Sequence, residues 1–146
     1  MTLTKQGLVI AFAVIAATTG TGAVASAQGA ANGQTIRGAW RTVVTPHNCQ
    51  TGQPLGSLAG LFTFNQGGTM AEYGIGPGSS PALRSPGHGV WQREPGSRQY
   101  SFAFTYYRYD LNAVFQGSVK VTAALVLGAS GDEFASRSAD SRAAAP

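Results

Sequence analysis

The sequence predicts an all-β fold, an antiparallel up-and-down β-barrel with seven recognisable strands, on three observations. Apolar and polar residues alternate at period two through most of the chain after residue 34. No stretch there places apolar residues at i, i+3, i+4 and i+7 between helix caps. The 146 residues include 20 Gly and 7 Pro but only 11% charged residues. Globular chains average roughly 25% charged residues, so long solvent-facing helices, coiled coils and helix bundles are excluded. Hairpin-length turns between successive strands favour an up-and-down barrel, and the length suits one domain.

The elements follow in chain order. Residues 1–27 read as a cleavable export signal: Lys5, then the apolar run LVIAFAVIAA at 8–17, then Ala25 and Ala27 in an A-x-A pattern before Gln28. A spanning helix needs about 20 apolar residues, and Thr18 to Gly22 interrupt too early. No Arg-Arg pair precedes the run, and no Cys follows it closely to carry a lipid. Residues 28–34 are a flexible leader, 35–138 the barrel domain and 139–146 a disordered tail. In the first strand Ile36, Gly38, Trp40, Thr42 and Val44 share a face until Pro46 ends it. Residues 46–57 form a polar loop. Leu58, Gly60, Phe62 and Phe64 alternate in the next strand, and Asn65-Gln66-Gly67-Gly68 turns it into a third at 69–73. Residues 74–89, rich in Gly and Pro, read as neither helix nor strand interior, and a loop that long points to a lid or mouth. A short strand at 90–93 precedes the most aromatic one, 98–109, with Tyr100, Phe102, Phe104 and Tyr106 on one face. Residues 114–127 place Phe115, Gly117, Val119, Val121, Ala123, Leu125 and Leu127 together, and 133–138 begin a seventh strand.

Candidate chemistry is sparse. His47 and Cys49 lie in a Pro-bounded loop without further ligands nearby, so no metal is expected. Gly78-Ser79-Ser80-Pro81-Ala82 is not a nucleophile elbow, and Gly74, Gly76 and Gly78 do not complete a dinucleotide-binding loop. The basic residues are singly spaced, which gives no nucleic-acid patch despite a net charge of +4. Glu72 is the one carboxylate in mid-strand. Base rates favour an exposed position for it, against a polar site with Arg84 or His88 at a barrel mouth. His88, between two glycines, reads first as a turn residue and second as a functional imidazole. Cys49 is the only cysteine, a lone thiol in a chain read as exported.

Gly38-Ala39-Trp40 at the start of the first strand resembles the G-x-W opening of lipocalin-like (calycin) barrels, in which the Trp plugs the closed end. Residues 40–44, 48–52, LFTFNQGGTM at 61–70 and RSPGHGVWQR at 84–93 together resemble a group of small exported bacterial barrel proteins of unassigned function, over about residues 36–134. The resemblance implies a signal peptide and one eight-stranded barrel, and it brings no active site to transfer. Similar chains continue past the position of Phe134 through a further strand to a C-terminal Cys, the partner implied for Cys49. Here ASRSADSRAAAP follows instead, so a truncation or frameshift near Ser138 is expected, with the last strand missing.

The function expected is binding of an apolar or amphipathic small molecule inside an exported barrel, periplasmic or extracellular. Loops 46–57 and 74–89 would form the mouth, with Arg84 and His88 at the entrance and Trp91, Tyr100, Phe102, Phe104 and Tyr106 lining the interior. Two other classes stand beside it: a cyclase or isomerase with an allene oxide cyclase-like barrel, and a structural protein with a filled core. No catalytic residue is assigned. No cofactor, nucleic-acid partner or membrane span after processing is expected, and the oligomeric state is not legible.

Overall fold

Period-two alternation leaves each strand with one apolar face, and a sheet with one apolar face buries it by curling on itself. The structure, a computed structural model, describes residues 34–76 and 79–145 together with the backbone of 8–13; of 137 and 138 only the backbone is described. The strands are β1 (Leu8–Ala13), β2 (Gly38–Asn48), β3 (Leu58–Phe64), β4 (Thr69–Ile75), β5 (Gly87–Arg93), β6 (Gln99–Tyr109), β7 (Phe115–Leu127) and β8 (Phe134–Ala144). Each pairs antiparallel with the next, and β8 meets β1 at Leu8↔Ser141, which closes an up-and-down barrel. The all-β expectation holds, and its seven strands are β2 to β8.

Four details differ from the sequence reading. First, β2 runs through Pro46 to Asn48. β3 begins only at Leu58, opposite Val44, and the Pro46 carbonyl accepts from Leu55 N at 2.8 Å on that side. The missing N–H therefore faces a place where no strand waits for it. Second, Gly87, His88 and Gly89 belong to β5, and Pro81–Leu83 make one turn of 3-10 helix. A Cβ on Gly89 would lie 1.9 Å from the Ala103 carbonyl oxygen, so glycine here permits a close approach of β5 to β6.

Third, residues 139–144 belong to a strand rather than a disordered tail: β8 continues to Ala144, paired with β7 as far as Ser118↔Ala144. Ser and Ala have modest strand propensity, but the 13-residue β7 offers a long edge to pair with. Fourth, the eighth place in the barrel is taken by Leu8–Ala13, the first part of the run read as an export core, which pairs with β2 from Leu8↔Asn48 to Ala13↔Val43. The cleavage site at 25–27 and most of the leader lie outside the described residues.

The core is largely aromatic. Phe62, Phe64, Phe102 and Phe104 pack with ring centroids 5.7 to 6.1 Å apart. One end of the barrel is sealed. Trp40 Nε1 donates to the carbonyl of buried Ile36 at 2.6 Å, and its ring meets Phe134 edge-on at 5.0 Å. The other end carries loop 49–57, segment 79–86 and turn 110–114.

Candidate functional site

At the open end the apolar filling gives way to polar groups. Glu72 on β4 points inward and is only 5% exposed, so the alternative with Arg84 is realised and the exposed reading is not. Arg84 Nη2 donates to Glu72 Oε2 at 2.5 Å, Nη1 to the Gly74 carbonyl at 2.7 Å and Nε to the Ser85 carbonyl at 3.2 Å. Its guanidinium lies 3.7 Å from the centroid of the Tyr106 ring. The pair is charge-neutral, and three guanidinium positions are engaged.

Arg84 reaches the interior because its segment crosses the mouth as a strap. Ser80 Oγ accepts from Ala82 N and caps the 3-10 turn. Arg84 forms an isolated bridge with Arg108, and Ser85 fastens the strap to β6 twice. Its N–H donates to the Tyr107 carbonyl at 3.0 Å, and its hydroxyl accepts from Tyr107 N at 2.9 Å.

Room for this polar layer comes from glycines whose missing side chains would have faced inward. A Cβ on Gly87 would lie 2.7 Å from both Glu72 Oε2 and Phe104 Cδ2, one on Gly74 3.1 Å from Glu72 Oε1, and one on Gly60 2.6 Å from Thr42 Oγ1. Gly60 stands in register with both Thr42 and Gly74, so Thr42 belongs to the same layer. Thr42 is 2% exposed, and its hydroxyl has no hydrogen-bond partner among the described residues. Buried polar groups are almost always paired, and among the described residues only this hydroxyl and that of Tyr100, toward the sealed end, are not.

Burial raises the pKa of Glu72 above its ordinary value, against the lowering effect of the Arg84 charge and hydrogen bond. The Tyr106 phenol is also raised, chiefly by burial. Glu72 thus takes up a proton more readily than a solvated carboxylate, and on doing so it releases its ionic claim on Arg84.

The expected site residues divide between the two ends. Arg84 and Tyr106 meet at the mouth, and Phe104 lies directly beneath. Phe102 belongs to the packed centre. Tyr100 and Trp91 serve the sealed end: Trp91 Nε1 donates to the Asn65 carbonyl at 3.0 Å, and its ring lies against Phe64 and Tyr100. His88 does not join Arg84 inside. It is exposed on the outer face of β5, between inward Gly87 and Gly89, where strand alternation puts it. Thr42 and Gly60 were not singled out by the sequence reading; a hydroxyl at an inward position of a strand was the available signal.

Two other features lie apart from the site. A depression of about 600 Å³ on the outer face of β5 to β8 is bordered by Val90, Gln92, Ser101, Ala103, Thr122 and Ala124. Trp91, Phe102, Ala123, Ala139 and Asp140 also line it. Cys49 is exposed as a free thiol, and among the described residues no three His, Cys, Asp or Glu side chains converge. No family model, curated protein or solved structure matches the chain, so the function is argued from the site itself.

Proposed function

We propose that this is an exported barrel that binds an amphipathic small molecule beneath the 79–86 strap. The ligand's polar head, a carboxylate or a similar acceptor, would be held by Arg84 and Thr42, and its apolar body would rest on Phe104 and Tyr106. The observation that carries the reading is the inward polar layer at the mouth: a buried Glu72–Arg84 pair in the same layer as a buried hydroxyl that no described residue satisfies. A ligand carboxylate replacing Glu72 as the partner of Arg84 leaves the charge balance intact once Glu72 is protonated, and its second oxygen is free to accept from Thr42. Lifting the strap breaks two hydrogen bonds at Ser85, about 1 kcal/mol each, as well as those from Arg84 to Glu72 and the Gly74 carbonyl.

Native mass spectrometry and solvent extraction of the exported protein test this. A stoichiometric small molecule is expected, lost from Thr42→Val. In the ligand-free state Thr42→Val should stabilise the fold by about 1 kcal/mol, because a buried unsatisfied hydroxyl is replaced by a methyl of similar shape. Ligand-free protein, together with a Thr42→Val that is destabilised, would mean that the hydroxyl serves the fold alone.

The packed aromatic centre favours a second reading, a structural or interaction protein, because it fills the middle of the barrel. In that case ligand-free protein and an unchanged mouth are the expected results. The cyclase or isomerase alternative draws on the buried Glu72 carboxyl beside the Tyr106 phenol, two proton-carrying groups in one layer.

A further inference from the structure

The β6–β7 hairpin ends in an apolar tip at the rim of the mouth. Leu111 is 85% exposed, Val114 55%, Tyr107 50% and Phe115 42%. Phe115 is clasped edge-on by Tyr107 at 5.6 Å and Tyr109 at 6.2 Å, which makes a small aromatic collar behind the aliphatic point.

The tip is held rigidly. Asp110 Oδ1 accepts from Asn112 N at 2.8 Å and Val114 N at 2.9 Å, its Oδ2 accepts from Gln116 Nε2 at 3.2 Å, and Ala113 takes the left-handed conformation with φ of 61°. The one carboxylate at the tip is thus engaged by its own turn. Arg108 stands beside the collar, exposed and outside the two ion pairs seen among the described residues. Glu94, Asp132 and Glu133 all lie in turns at the sealed end. Across the mouth, Leu55 on loop 49–57 offers a second apolar point, also well exposed.

We infer that this end of the barrel docks on a lipid bilayer, with Leu111 and Val114 entering the acyl boundary, the tyrosines at headgroup level and Arg108 on lipid phosphate. The graded order fits: aliphatic outermost, aromatic next, then cationic, as a bilayer passes from hydrocarbon through interface to phosphate. The size fits too. One turn and its collar form a narrow projection, whereas a stable protein interface needs roughly 800 Å² from each partner. Docking would turn the mouth toward the membrane, and it does not depend on what the barrel binds.

Co-sedimentation of the full chain with vesicles of equal parts phosphatidylglycerol and phosphatidylcholine tests the inference. Binding is expected to weaken about tenfold or more in Leu111→Asp. It should be unchanged in Val90→Ser, which removes an exposed apolar residue away from the tip. Leu111 touches little, so its variants should keep the parent near-ultraviolet spectrum. Leu111→Trp should show a blue-shifted emission on vesicle addition. Absence of vesicle binding, or equal binding by Leu111→Asp, would overturn the inference. So would self-association that Leu111→Asp abolishes without any vesicle binding, because the tip would then be a contact between copies.

Discussion

Glu72 owes its burial to what surrounds it rather than to its own strand. Period two in TMAEYGI puts Met70, Glu72 and Gly74 on one face, so its inward direction is legible from the sequence. Its partner is not, because Arg84 lies beyond a Gly/Pro-rich stretch and reaches back across the mouth. The linkage follows from the direction of the pKa shift. A carboxyl raised in the folded state gives stability that is fully present below its ordinary pKa, 4.5, and lost as pH rises through the folded value. Wild type should therefore gain stability relative to Glu72→Gln as pH falls from 7 to about 4.5. Urea titrations across that range check it, and a gain in the opposite direction would mean that Arg84, not burial, governs the carboxyl.

Strand faces are the best-read elements: the inward sets of β2, β3, β6 and β7 are the ones that alternation picks out, except that Phe115, expected with Val119 and Val121, is exposed at the start of β7 against Tyr107 and Tyr109. Ends were harder to read, because they depend on neighbours. Pro46 stays in its strand because β3 has already stopped, and the Ser/Ala-rich β8 forms along the edge of a longer β7. Gly89 shows the same dependence in energetic terms. Gly89→Ala drives a methyl into the β6 backbone and should cost about 3 kcal/mol, whereas Gly76→Ala, whose Cβ would meet Ser79 Oγ at an ordinary 3.6 Å, should change stability by less than about 0.5 kcal/mol. Chemical denaturation of both variants measures the contrast. Equal costs would show that the two strands can move apart freely.

At the scale of the molecule, the barrel is seven consecutive hairpin-linked strands and one that comes from the far N-terminus. The fold class was readable from composition and alternation, but the occupant of the eighth place was not: an apolar run of ten fits an export core and a strand equally well. Removing residues 1–27 should leave two edges. Asn48 N bonds to Gln53 on the β3 side, so the alternate amides of Val43, Thr45 and His47 point to β1. In residues 28–146 these amides should exchange with deuterium faster than in the full chain, while those of Trp40 and Thr42 stay protected. Unchanged protection would mean that β2 and β8 close directly on each other.

The pairing of Leu8–Ala13 between β2 and β8 also sets an order of events on the export reading. A chain that folded first would have its address zipped into the barrel wall and hidden from any receptor that reads apolar sequence. Targeting must then outrun folding. Antiparallel barrels rich in non-local pairs fold slowly, in milliseconds to seconds, which gives the receptor that lead.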